Sequence, residues 1–352
     1  MTENQIHKLV SNGKLPASQQ CEKLIKTHIS WVVLCRDYVY KIKKPVHLSF
    51  VDFSTLAKRK YFCEQELLLN QRLTKNMYLE VLPITSTHGI FHIGSGIGEV
   101  VDYALVMKRI DSTKEMRKLL RSGRVKESDI IKIARQLVDF HQNALVVKNR
   151  VKPEVLIEDF NDIEQIQSFV KEAIGESAVI KLSKVIDIST QFVGIQKGLI
   201  KQRDKKGFTR DCHGDLHSGN IFILDEPVIF DCIEFNEHLR QIDILNELAF
   251  FCMDLEFHGL LDLSKSFMQA YNKVFKVINN NDEEQLFLYY KLYRANVKVK
   301  INALKTQQAK DPGEINFRLG LFKKYFELMV TYSRLLNKTI NGSENPVVVP
   351  RN

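Results

Sequence analysis

The run Asp211-Cys212-His213-Gly214-Asp215-Leu216-His217-Ser218-Gly219-Asn220-Ile221-Phe222, followed by Val228-Ile229-Phe230-Asp231, constrains this chain more than any other stretch. Its two apolar runs flank a polar turn, which predicts a loop leading into a hairpin from Ile221 to Phe230. A hairpin brings its ends together, and here those ends are Asn220 and Asp231. An amide oxygen and a carboxylate suit a hard cation such as Mg²⁺, which keeps its other positions for water and phosphate oxygens. Asp215 stands five residues before Asn220 on the same loop, where a carboxylate can orient a hydroxyl and take its proton. The order of residue types predicts a phosphoryl-transfer site with Asp215 as base and Asn220 and Asp231 as metal ligands.

The remaining composition narrows the class. At 352 residues the chain exceeds the usual size of one core, so two lobes are expected. A formal charge of +9 favours contact with anions, and a nucleotide's phosphates account for part of it. No apolar run reaches the length of a membrane span, and the opening MTENQIHKLV lacks the basic and apolar blocks of a secretory signal, so a cytoplasmic location is expected. The six cysteines form no CxxC pair and sit mostly in apolar runs, which suits reduced thiols better than disulfides or zinc ligands. No structural metal is expected. GxxxxGK[ST] is absent, and so are zinc spacings, an aromatic-glycine RNA motif and a dense basic stripe, so neither a P-loop nor a nucleic-acid partner is expected.

Along the chain, β-branched and aromatic residues around Arg36-Asp37 predict a hairpin of strands 29–34 and 38–42. Residues 56–73 carry a helical period, and strand-like runs return at 79–84, 89–93 and 100–110. The glycines of GSGIG, residues 94–98, read as the turn between the last two. From residue 115 onward helical periodicity dominates, at 128–143, 163–201, 242–276 and 283–306, interrupted by the 211–231 hairpin. This gives an α+β chain with a small β-rich N-terminal lobe and a larger, mainly helical C-terminal lobe. Residues 341–352 read as a frayed polar tail.

In the small lobe, Lys41 ends an alternating run, Tyr38-Val39-Tyr40-Lys41-Ile42, which would hold its ammonium at a fixed height above a sheet to neutralise phosphate. Lys43 and Lys44 compete with it, and strand alternation lets Lys43 share its face. Arg294 and Lys298 share a helix face in YRANVKVKI with Lys300 nearby, which reads as a solvated basic face, the alternative being a site for an anionic acceptor. His217 reads as a solvent-facing or loop-bonded histidine, the alternative being contact with an acceptor.

HGDLHSGN followed by VIFD resembles the signature of the aminoglycoside phosphotransferase and choline kinase-like group of the protein-kinase fold. THIS, VYKIKKPV, ELLLNQRL and FDCIEFNEHLRQIDILNELAF extend the likeness, to an uncharacterised bacterial branch, over roughly residues 27–300. The resemblance implies a bilobal protein-kinase-like fold, with residues 1–109 as the nucleotide-binding lobe and 110–352 as the catalytic and acceptor-binding lobe. It also implies that Glu66 pairs with Lys41, with Glu64 as the rival, and that Ser30 in a short loop bonds phosphate. Met107 would wall an adenine pocket, while Lys108 and Ile110 would offer backbone groups to the base. By the same likeness His213 packs beneath the loop, and Asp243 and Glu247 brace it, although Glu247 stands where the group usually has Asp.

The expected activity is ATP- and Mg²⁺-dependent transfer of a phosphoryl group to a hydroxyl of a small molecule. The alternatives are a nucleotide-binding pseudoenzyme or scaffold, and a protein kinase. Glu234, Glu237, Asp254 and Glu256 are numerous enough to build a locally acidic pocket, so net charge does not decide whether polycationic sugars are acceptors. Acceptor identity and oligomeric state are left open by the sequence.

Overall fold

The computed structural model describes residues 1–342 apart from Ser49 and residues 95–97. The middle of the GSGIG turn and most of the 341–352 tail therefore lie outside the described residues. The chain divides into two compact units, Met1–Gly123 with Gly219–Arg240, and Arg124–Ser218 with Gln241–Asn352. Residues 219–240, which carry Asn220 and Asp231, thus group with the N-terminal residues.

The first unit is built on a six-stranded antiparallel sheet in the order Cys21–Lys26, Ser30–Cys35, Tyr38–Lys43, Glu99–Lys108, Tyr78–Thr87, Ile90–Ile93. Strand alternation gives it two faces. One buries Trp31, Val33, Tyr40, Ile42, Ala104 and Val106 in a core shared with Ile6 and Leu9 of the helix Glu3–Asn12. The other carries Val39, Leu105 and Met107, which pack with Tyr78 and Phe222. Lys41 and Lys43 follow Val39 by period 2 onto this second face. The opening helix and the first strand were not read from the sequence, whereas the 30–43 hairpin and the 56–71 helix were.

The helix Leu56–Gln71 starts where Thr55 accepts the Lys58 N–H at 3.2 Å, satisfying one of the first-turn donors. It packs on the strands Tyr78–Thr87 and Glu99–Lys108. Arg59 ties it to the sheet, donating to Asp102 Oδ1 at 2.8 Å.

The second unit is mainly helical, around Ile244–Phe257, in which every residue from Ile244 to Leu255 is buried. A helix buried on all sides belongs in a core, and Asn281–Gln308 and Leu261–Val274 cover it. Two long expected helices are broken. Gly175, at φ 122°, separates Gln167–Ala173 from Glu176–Lys205, and Gly259, at φ 78°, follows Ile244–Phe257. Each glycine takes a left-handed conformation that other residues rarely adopt, which ends the helix before it. A final helix, Pro312–Ile340, packs along Asn281–Gln308.

Candidate functional site

Within the first unit, the second face of the sheet holds a cluster of charges. Lys41 Nζ lies 2.6 Å from Glu66 Oε1 and 2.7 Å from Asp231 Oδ1. Lys43 Nζ lies 2.8 Å from Glu66 Oε2 and also pairs with Glu234. Glu66 therefore takes one ammonium on each oxygen. Burial works to raise its carboxyl, but the two lysines outweigh that and hold it at about 2. Burial pushes the Glu234 carboxyl up despite Lys43 beside it. The other candidates, Glu64 and Lys44, make contacts elsewhere. Glu64 makes an exposed contact with Lys60 at 3.7 Å, and Lys44 turns to the Thr27 carbonyl and the Trp31 ring.

Asp231 reaches Lys41 from an unusual backbone. Its φ is 64°, in the left-handed region, and its N–H donates to the Tyr78 hydroxyl at 3.1 Å. Conformations of this kind persist only where the surroundings over-determine them, and they concentrate at functional sites. Here the next residue is also held, since the Cys232 N–H donates to Asn70 Oδ1 at 2.9 Å. The hairpin register pairs Ile221 with Ile229, and the Phe230 N–H donates to the Asn220 carbonyl at 3.0 Å. Asn220 thus lies across the hairpin, one residue from Asp231. The donor set, one amide and one carboxylate oxygen, fits a hard divalent cation.

The remaining expected residues of this unit fall into two groups. Met107 is buried beside Val39, Leu105 and Phe222, with Ile110 and Phe230 packed against them, and the Phe222 and Phe230 rings stack at 4.8 Å. Lys108 is exposed, and its N–H is spent on the Met77 carbonyl at 2.7 Å, so it is not a donor for a base. Ser30 does not join the cluster. Its side chain is fully buried with Oγ unpartnered, and its N–H is taken by Thr27 Oγ1 at 2.9 Å.

In the second unit, the strand Thr209–Asp211 pairs with Gln241–Asp243 and delivers the loop that carries Asp215. The loop is fastened by its backbone. Glu247 accepts the His213 N–H at 2.9 Å and the Gly214 N–H at 2.6 Å. Gly214, at φ 89°, supplies the turn that lets both N–H groups face one carboxylate. Arg294 donates to the Gly214 carbonyl at 3.1 Å, and Asp254 accepts the Ser218 N–H at 2.8 Å. Glu247 is held in turn by His141, whose Nε2 lies 3.0 Å away. An ionised Glu247 only accepts, so Nε2 carries a proton, and Nδ1 lies 2.9 Å from the Tyr271 hydroxyl. Burial opposes the charge on Glu247, yet these hydrogen bonds hold its carboxyl at about 2. Cys212 brings its sulfur to this group, within a 4.8 Å spread of ligand-type atoms.

The Asp215 side chain is one-third exposed, with His217 Nε2 3.3 Å from Oδ2 and Lys298 Nζ 3.9 Å from Oδ1. Burial works to raise its carboxyl, but His217 and Lys298 hold it well below the usual range. His217 is lowered by burial first and by Lys298 second. Arg294 and Lys298 each lie 4.7 Å from the Phe250 ring centroid. The basic face expected to be solvated therefore points inward, with Arg294 buried on the loop. Their i, i+4 spacing was legible, but nothing in the sequence marked that face as covered. Lys43 and Glu234 were likewise missed as a pair, because 191 residues separate them.

No family model matches the chain. Uncharacterised proteins of Mycobacterium tuberculosis and Mycobacterium bovis are 30% identical over 294 residues, 81% of this chain and 55% of theirs. The chain thus spans about half the length of these curated relatives. Among solved structures, a glucosamine kinase in complex with glucosamine, ADP and inorganic phosphate superposes with a TM-score of 0.53 at 10% identity, covering 92% of this chain and 83% of that one. A Plasmodium vivax ethanolamine kinase superposes at 0.50 and 11% identity, covering 88% and 82%. At such identities the likeness carries the fold, and the fold of this chain is kinase-like.

Proposed function

We propose that this chain is an ATP- and Mg²⁺-dependent phosphotransferase that moves the γ-phosphoryl group to a hydroxyl of a small molecule. The observation that most supports this is the position of Lys41, whose ammonium is shared between buried Glu66 and part-exposed Asp231. Such a lysine is fixed on one side and exchangeable on the other, and can turn from Asp231 toward a phosphate. The solved relatives include a kinase bound to ADP and glucosamine.

Residues 1–109, joined by Ile110 and Phe222, hold the nucleotide in this reading. The apolar bed of Val39, Met107, Ile110 and Phe222 supports the base, and of the expected backbone donors Ile110 is the better candidate. Asn220 and Asp231 hold the metal, which when bound neutralises charge on the phosphates. Residues 110–352 supply the remaining chemistry. Asp215 is ionised at neutral pH, as its depressed carboxyl requires, so it accepts a hydrogen bond from the acceptor hydroxyl. A carboxylate held so low is a weak base. Its part is orientation first and proton capture late, which suits a loose phosphoryl transition state in which little proton transfer is needed early. Glu247, Arg294 and Asp254 keep the loop from moving while it does so.

The acceptor belongs to the class of small hydroxylated compounds, and the protein is expected to act without nucleic acid and in the cytoplasm. The test is transfer of label from γ-labelled ATP across sugars, amino sugars, amino alcohols and aminoglycosides, with wild type and Asp215→Asn. Label on one acceptor class, lost in Asp215→Asn, is the expected result. No transfer and no Mg²⁺-nucleotide binding by wild type would end the proposal.

A further inference from the structure

The first unit's cluster contains more charge than phosphate neutralisation uses. Lys43 sits two residues beyond Lys41 on the same strand face, completely buried, with its ammonium 4.8 Å from the Phe53 ring centroid. It takes Glu66 Oε2 while Lys41 takes Oε1, and its second partner is Glu234, itself buried. Glu234 lies three residues past Asp231. The segment between them is tied to the same helix a second way, because Asn70 accepts the Cys232 N–H and donates to the Glu66 carbonyl at 2.8 Å. Arg240 adds a bond to the Ile233 carbonyl at 2.9 Å.

Exposure separates the two lysines. The Lys41 side chain is 15% exposed and its partner Asp231 is 45% exposed, whereas Lys43 and Glu234 are 1% and 5% exposed. A part-exposed ion pair is exchanged at little cost, because water takes over from the lost partner. A buried carboxylate stripped of its only cation is strongly destabilised. Glu66 is 0% exposed, so if Lys41 were its sole partner every departure of Lys41 toward a phosphate would strand it.

We infer that Lys43 and Glu234 are a positioning pair that frees Lys41 for the nucleotide: Lys43 neutralises and fixes Glu66, and through Glu234 it fixes the segment that presents Asp231. The inference rests on the phosphotransferase reading for the role of Lys41. The fold then has two lysines with divided tasks, one exchangeable and one permanent. Lys41→Met leaves Glu66 paired and the carboxylate of Asp231 in water. Lys43→Met leaves Glu234 without its ammonium and loosens Asp231.

The experiment compares wild type, Lys41→Met, Lys43→Met and Glu234→Gln by thermal midpoint without nucleotide, and by calorimetric titration with Mg²⁺-ATP at a temperature where each variant is folded. Lys41→Met is expected to melt within about 2 °C of wild type and to lose nucleotide binding. Lys43→Met is expected to melt about 5–10 °C lower. Glu234→Gln, the milder change, keeps the fold and weakens Mg²⁺-ATP binding about tenfold, a loss that a merely structural pair would not cause. Equal melting losses in Lys41→Met and Lys43→Met, or wild-type nucleotide affinity in Glu234→Gln, would overturn the division of tasks. Absence of binding by wild type would instead remove the phosphotransferase reading, and with it the role given to Lys41.

Discussion

The two charged clusters are built on different plans. In the first unit, side chains fix side chains: Lys41, Lys43, Glu66 and Asp231 meet at 2.6–2.8 Å. In the second, helices fix a backbone: Glu247, Arg294 and Asp254 hold the loop, while the Asp215 carboxylate meets its neighbours at 3.3 and 3.9 Å. The first plan suits binding of a fixed ligand charge, because the partners are already paired and one of them is exchangeable. The second suits the proposed taking of a proton from an acceptor, because the loop is held by its backbone while the carboxylate is one-third exposed.

Breaking the second plan at the proposed base gives the largest expected effect. Asp215→Asn keeps the size and the loop bonds but cannot take a proton, and phosphoryl transfer should fall by about 10³-fold in steady-state kinetics. Breaking it at the brace acts on stability instead. Glu247→Leu removes the acceptor of the His213 and Gly214 N–H groups and of His141 Nε2, and should cost about 3–5 kcal/mol in denaturant unfolding.

The contrast sharpens at low pH. Glu247 and Glu66 are both held at about 2, below the value near 4.3 of an unfolded glutamate. A depressed folded value stabilises above the unfolded one and is lost as pH falls toward the folded one. The thermal midpoint should therefore drop between about pH 4.5 and pH 2, and Glu247→Gln should flatten that drop. Lys298→Met tests the open side of Asp215. Without this cation the Asp215 carboxyl rises, so the acid limb of the rate profile should move to higher pH. The His217 ring, also held down by Lys298, should titrate higher by NMR. The smallest effect is expected at the exposed pair Lys60 and Glu64, where Glu64→Gln should change stability by less than about 0.5 kcal/mol.

What the sequence revealed follows from how local each signal is. Asp215, Asn220 and Asp231 could be picked out as candidates because their spacing lies within one loop and hairpin. The period-2 run to Lys41 placed its face, and with it the possibility that Lys43 shared that face. Glu234 was not legible as the partner of Lys43, because an ion pair between distant segments leaves no local pattern. Arg294 and Lys298 were misread for a related reason: a helix face is amphipathic in sequence, but which neighbour covers it is decided by packing. Ser30 was offered to a phosphate by family resemblance, and the fold turns its hydroxyl inward. The opening helix Glu3–Asn12 carries a capping box, Thr2 with Gln5, that could have marked its start.

The most direct measurement is calorimetric titration of Mg²⁺-ATP into wild type, Lys41→Met and Asp215→Asn, paired with assay of transfer by the same preparations. The account predicts that Lys41→Met loses binding, while Asp215→Asn binds as wild type does and transfers nothing. Loss of nucleotide binding in Asp215→Asn equal to that in Lys41→Met would contradict the separation of binding from proton capture. Failure of wild type to bind Mg²⁺-ATP at all would contradict the function itself.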